Sequence, residues 1–347
     1  MKIGNNMKYI LVFLFTMFVF EHVYCQDPHF SQYRHNPQWL NPALVGSFSY
    51  QMRVNLNYRN QWKNTTAPLN TYMFSADGVV KRGETGILGV GGYALMDKAG
   101  ENGLNQSYFG GSIASGVKLS DNSILSAGIS IGAVSISFDP SIYTWESQYT
   151  GNGFDNTMDI HETFPEVNKT DIDLGAGLNY IIYSPGSNPF LNDGFNGSFG
   201  VSMYHLTRPQ IPGSLSDEKN MRFASYAIMS IGLEGTNTAI QPSMLFMKQG
   251  PSNELVFGIG ARYILREESH YTGFISSSAL TLAVDYRVKD AIIIRSLLEV
   301  SSFAFGLSYD FNTSDFINAS DGAGGPEIML RYILPLEYRQ RSNTPMI

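Results

Sequence analysis

The sequence predicts an all-β fold: a transmembrane antiparallel β-barrel of about 14 strands, preceded by a cleaved signal peptide. Three observations predict it. Apolar and polar residues alternate with period two along most of the chain, and the polar face is loaded with Gly and Ser, as where backbone crowds a lumen. The alternating runs are also long. Soluble strands average about five or six residues, whereas tilted membrane strands need about nine to eleven. Run length therefore separates the barrel from a soluble sandwich of the same period.

The first element is the export signal. Lys2 and Lys8 precede an uncharged run, Tyr9 to Phe20, followed by Glu21-His22-Val23-Tyr24-Cys25. The run is too short to span a bilayer. Val23 and Cys25 are small enough for the cleavage positions, so residues 1–25 are read as a signal peptide cut before Gln26. Bulky Tyr24 argues against Cys25 as a lipid acceptor. The mature chain then has no cysteine, which removes disulfides, thiol catalysis and cysteine metal sites. Loss of Lys2, Lys8 and Glu21 leaves 21 cations against 29 anions, a net charge of −8. Such an acidic exported chain excludes nucleic acid as a partner.

Next comes "NPQWLNPALVG", residues 36–46. Pro37 and Pro42 each remove a backbone donor and restrict the preceding Asn. Yet Trp39, Leu40, Ala43, Leu44 and Val45 make the stretch too apolar for a free linker. Irregular backbone is tolerated at membrane depth only where protein or water surrounds it. Residues 26–46 are therefore expected at or in the periplasmic mouth of the barrel, with Trp39 and Leu44 against lumen or rim side chains. A frayed periplasmic leader is the alternative.

The barrel is expected over 47–336, with strands near 50–59, 70–80, 86–95, 104–118, 122–137, 171–183, 195–205, 221–234, 237–247, 253–265, 275–287, 290–299, 302–311 and 326–334. In the first, Met52, Val54, Leu56 and Tyr58 alternate with Arg53, Asn55, Asn57 and Arg59; in the thirteenth, Phe303, Phe305, Leu307, Tyr309 and Phe311 alternate with Ser302, Ala304, Gly306, Ser308 and Asp310. An even count puts both termini on one side. The long connections 138–170, 206–220 and 312–325 are odd-numbered and the shortest are even-numbered, as outer-membrane barrels require. Connections 266–274 and 288–289 fit that rule poorly. Residues 337–347 form a C-terminal tail.

These residues also carry a resemblance. The leader "DPHFSQYRHNPQWLNPALVGS", then "NYRNQW" (57–62), "FSAD" (74–77), "SYFGGSIASGVKLSDNSILSAGISIG" (107–132), "FPEVN" (164–168), "IQPSML" (240–245), "GLSYDFNTS" (306–314) and "GGPEIMLRY" (324–332) resemble, in order, the PorP/SprF family of type IX secretion outer-membrane proteins. The family motif falls on Tyr33, Asn36, Pro37, Asn41, Pro42 and Gly46. The resemblance implies a non-enzymatic barrel in the outer membrane lipid of Bacteroidota, without a cofactor. It would assist secretion or surface attachment of cargo, commonly adhesins, through their C-terminal sorting domains. Its expected partners are the secretion or gliding machinery, including periplasmic components near the peptidoglycan. Two departures stand out: Pro326 replaces the usual His, and "PLEYRQRSNTPMI" follows the last strand. A porin or hydrophobic-solute channel is the alternative function.

Candidate functional residues follow from the alternation. Arg53, Asp173, Glu254, Arg262, Asp285, Arg287, Asp310, Glu327 and Arg331, with Arg59 and Asp171, fall on the inward face. Their near balance suits cross-strand pairing better than ion selection by sign. In the long connection 138–170, Tyr143, Trp145, Tyr149 and Phe154 stand among acids. They read equally as an external partner surface and as a self-packed cap. His161, Glu162, Asp155 and Asp159 read as a solvated loop rather than a metal site. His29, His35, His205 and His270 show no catalytic spacing to a Ser or an acid.

Overall fold

The computed structural model describes residues 26–47, 50–62, 68–100, 104–137, 139, 143–161, 168–184, 194–211, 218–266, 277–314 and 317–335. The signal peptide 1–25 and the tail 337–347 lie outside them, as do Glu162 and His270.

The wall is one antiparallel sheet of fourteen strands closed on itself. They are β1 Met52–Gln61, β2 Leu69–Arg82, β3 Gly86–Ala99, β4 Leu104–Ser120, β5 Ser123–Ser137, β6 Asn168–Tyr183 and β7 Phe195–Tyr204. After β8 Arg222–Gly232, β9 comes in two pieces, Thr238–Ile240 and Ser243–Gln249. The wall continues with β10 Ser252–Arg266, β11 Ser278–Arg287, β12 Ala291–Val300, β13 Phe303–Asn312 and β14 Ala323–Leu334. Closure comes from β1, which pairs with β2 on one side and with β14 on the other, Arg59 opposite Glu327. Among the described strands no edge is left unpaired, which a sheet surrounded by lipid requires.

The period-two pattern becomes two faces. In β13, Phe303, Phe305, Leu307, Tyr309 and Phe311 are exposed outward, while Ala304, Ser308, Asp310 and Asn312 are buried inward. This strand is legible from its sequence because outward neighbours meet lipid and inward ones meet protein.

The gap in β9 has a local cause. Both pieces keep one register, with Ser243 opposite Ile228 and Ile240 opposite Ile231. Gln241 exchanges backbone bonds with Gly260 at 2.7 and 3.1 Å, and Met229 N–H donates to the Pro242 carbonyl at 3.0 Å. Pro42-like in its chemistry, Pro242 has no N–H to return to Met229. Arg34, from the leader, donates instead to the Met229 carbonyl at 3.4 Å. The wall is notched there without slipping.

Because strands alternate in direction, Gln51 and Leu334 share one rim, here the terminal rim; their backbones are bonded at 2.8 Å. The described parts of the odd-numbered connections, including those between Ser137 and Asn168 and between Tyr204 and Arg222, lie at the opposite, loop rim. Fourteen strands enclose more space than wall side chains fill, since barrel width grows with strand number and about eight strands suffice for a side-chain core. The leader occupies that space. Its buried residues Phe30, Tyr33, Trp39, Leu40, Ala43 and Val45 lie inside the barrel.

Candidate functional site

The leader is built from two Asn-Pro pairs used in the same way. Pro37 starts a single helical turn, Pro37–Leu40, after Asn36, and Pro42 starts a 3-10 turn, Pro42–Leu44, after Asn41. A proline at the first helical position loses nothing, because that N–H has no partner within the turn. Asn41 caps its turn by accepting from the Ala43 N–H at 2.8 Å. Its amide then reaches the wall, donating to the carbonyls of Leu178 at 2.9 Å and Val201 at 3.2 Å and to the Tyr226 hydroxyl at 3.2 Å. Gln38 likewise donates to the carbonyls of Ala76 and Gly92, both at 3.0 Å.

Small wall residues admit this backbone. A Cβ on Gly128 would lie 2.5 Å from the Pro42 carbonyl carbon, and one on Gly177 would overlap the Asn41 side-chain oxygen. Gly46 ends the leader in the left-handed region, φ +68°, where its N–H donates to Asp77 at 3.1 Å. Among the family-motif residues, Tyr33 packs with Leu40, Tyr226, Leu245 and Val256, and Leu44 joins that cluster from its edge. Asn36 is buried, and its backbone carbonyl accepts from the N–H groups of Trp39 and Leu40.

The segment reaches further than one mouth. Gly46 and Ser47 lie near the terminal rim, against Gly89 and Ser126, whereas Asp27 sits near the loop rim. The physical reason is charge. Asp27 is 2.6 Å from His205 Nε2, 2.8 Å from Lys219 Nζ and 2.9 Å from Arg222 Nη1, all buried. His205 Nδ1 in turn lies 3.1 Å from Asp173. Burial pushes the Asp27 carboxyl up, but His205, Lys219 and Arg222 outweigh it and hold it well below the usual carboxylate range. Burial pushes the His205 imidazolium down, but Asp27 and Asp173 outweigh it and raise it. His205 is held at φ +58°, a left-handed conformation uncommon outside glycine.

Trp39 stands beneath this cluster. Its indole N–H donates to the Pro28 carbonyl at 2.9 Å, and its ring meets Tyr108 edge-on at 5.1 Å and Tyr93 at 6.0 Å. The Arg222 guanidinium lies 4.2 Å above it and donates to the Trp39 carbonyl at 2.8 Å. Beside it, Ser31 and Gln32 donate backbone N–H groups to Glu327 at 2.7 and 3.2 Å, and the Ser31 hydroxyl donates to Asp310 at 2.5 Å.

Each candidate lumen charge but Asp171 has an oppositely charged neighbour among the described residues. Arg53 grips Asp77 at 2.9 Å across β1 and β2. Arg59 bonds Asp310 at 2.9 Å and Glu327 at 3.4 Å. Arg287 joins Glu254 at 3.2 Å and Asp310 at 3.1 Å, and Asp285 takes Arg295 at 2.9 Å. Arg262 and Arg331 share Glu299, each at 2.8 Å, reaching over the intervening strands at Thr281 and Ala304. Asp171, on the same inward register, accepts from the Gln210 N–H at 2.7 Å. Sequence reasoning missed Asp27, Asp77, His205, Lys219, Arg222, Arg295 and Glu299. For Asp77 and Arg295 the signal was present, since both lie on inward positions of alternating strands.

At the loop rim, Glu146–Gln148 forms a 3-10 turn, and Tyr149 bridges to Phe154. Tyr149 is 62% exposed and Phe154 47%, whereas Tyr143 and Trp145 pack against each other at 6.1 Å. The four aromatics thus divide into an outward pair and a self-packed pair. Asp155 in this loop is partly exposed. The Thr157 hydroxyl and N–H hold its carboxyl below the usual range. Among the described residues no group of acids and histidines forms a metal centre.

Comparison with known proteins completes the assignment. No curated protein matches the chain. Among solved structures, the toluene transporter TbuX of Ralstonia pickettii is 10% identical, with 85% of this chain and 92% of that one covered at a TM-score of 0.48. The monoaromatic hydrocarbon channel CymD is 12% identical, covering 88% and 94% at 0.46. A Pseudomonas aeruginosa FadL homologue is 12% identical, covering 84% and 92% at 0.44. The family model described as type IX secretion system membrane protein PorP/SprF, however, matches residues 23–332. Together with the closed fourteen-stranded wall, that match means the chain belongs to the PorP/SprF family and is an outer-membrane β-barrel of the type IX secretion system.

Proposed function

We propose that this chain is a non-enzymatic accessory that assists secretion or surface attachment of adhesin-like cargo through its C-terminal sorting domain. In this reading residues 1–25 are removed on export, and residues 26–46 remain as a plug within the barrel 47–336. The periplasmic mouth couples to secretion or gliding components near the peptidoglycan. One observation carries the proposal: the loop-rim half of the lumen is filled by the leader, anchored through Asp27 to His205, Lys219 and Arg222. A barrel filled in this way handles proteins at its mouths and loops rather than through its bore. The exposed Tyr149 and Phe154 offer such a contact, since aromatics at a polar rim supply contact area. The lumen charges, in turn, tie wall and plug together. The test is gene deletion with quantification of surface proteins. Loss of one cargo from the surface, with others unaffected, is expected; unchanged display of every cargo rejects the proposal.

A second reading, a transport barrel for small solutes, is favoured by the cavity left in the terminal-rim half of the lumen. Steady conductance of the intact mature protein in planar bilayers would select it.

A further inference from the structure

The cavity in the terminal-rim half of the lumen has a chemistry of its own. It measures about 370 Å³ and is lined at the rim by Tyr50, Gly194 and Gly232. That lies within the range of small-ligand sites, about 300–1,000 Å³. Four guanidinium groups line it, from Arg34, Arg262, Arg295 and Arg331, against one lining carboxylate, Glu299. Glu299 is shared between Arg262 and Arg331, and Arg295 is held from behind by Asp285. Arg34 is left over. Arg34 makes one long hydrogen bond, to the Met229 carbonyl, and has no carboxylate within ion-pair distance among the described residues. A guanidinium carries five donors in a planar fork.

We propose that this cavity binds a small polyvalent anion of carboxylate or phosphate type, with Arg34 as its principal ligand. The planar fork matches both carboxylate and phosphate oxygens. Low-dielectric walls strengthen the attraction of an unbalanced positive charge over its value in water. The neutral side chains of Asn196 and Gln241, also in the lining, supply further hydrogen bonds. The site is independent of the secretion role.

The test is isothermal titration of the full mature protein in detergent with sodium citrate and, separately, inorganic pyrophosphate, at fixed ionic strength. Saturable binding of at least one anion is expected, and the stronger one identifies the group recognised. Arg34→Gln should weaken it by about tenfold or more, since it removes a charge-assisted bond. Glu299→Gln should tighten it, because the lining then carries one more net positive charge. No saturable binding of either anion, or equal binding by Arg34→Gln, overturns the proposal. Should Arg34→Gln fail to show the heat-dependent gel shift of a folded barrel, Glu299→Gln decides alone: unchanged or weaker binding overturns the site.

Discussion

The two halves of the lumen are made from the same wall yet end in opposite states. Near the loop rim the leader brings the charge and bulk that the wall lacks. Asp27 meets His205, Lys219 and Arg222, and Trp39 fills the space between Tyr93, Tyr108 and Tyr204. Near the terminal rim the leader brings Arg34 to a surface where arginines already outnumber carboxylates, and a cavity remains. A plug does not simply fill a pore. It closes the half whose charge it complements and leaves open the half whose charge it shares.

The sharpest way to break this comparison is to remove the leader. Deletion of residues 26–46 should convert a non-conducting barrel into one with steady ion current in planar bilayers; equal current from both proteins would show that the leader does not seal the bore. Asp27→Asn comes next. It strands Lys219 and Arg222 in a buried site, at a cost of about 3–5 kcal/mol. Protease accessibility of the leader in a urea series should report it, whereas Asp155→Asn in the exposed loop should leave that series unchanged.

A smaller effect is expected at the wall. Gly177→Ala places a methyl group on Asn41 and should loosen the leader by about 1–3 kcal/mol. Wild-type folding of this variant, with an unshifted urea midpoint, would mean that the close approach is unimportant.

Acidity should move the loop-rim anchor from both sides. The folded Asp27 is lowered, so its contribution is complete above the ordinary carboxylate range and is lost as pH falls through the lowered value. The folded His205 is raised, so its contribution is complete below the ordinary imidazole range and is lost as pH rises through the raised value. Protease release of the leader should therefore be slowest between those limits, and a flat profile would contradict the anchor. The smallest change belongs to Tyr149→Ser with Phe154→Ser, which should alter barrel stability by no more than about 0.5 kcal/mol. Loss of cargo display in that stable variant would identify the outward pair as a contact surface.

The wall was readable in advance because its rule is local. Each residue of β13 answers only whether its side chain meets lipid or lumen, and the next residue gives the opposite answer. The same rule put Arg53, Arg262 and Glu327 inside. It also erred little at boundaries: β6 begins at Asn168 and β14 at Ala323, a few residues earlier than expected. The site was less legible. His205 looked isolated because its partner, Asp27, is 178 positions away.

By itself, then, the sequence determined a fourteen-stranded closed wall, its apolar outside and charged inside, and an irregular leader unsuited to lipid. Only the tertiary structure decided that the leader crosses the lumen to the far rim, that Asp27 gathers His205, Lys219 and Arg222 there, and that Arg34 is left facing a cavity. The physical reason is range. Alternation is settled between neighbouring residues, whereas the pairing of buried charges is settled by closure, which brings together groups from opposite ends of the chain.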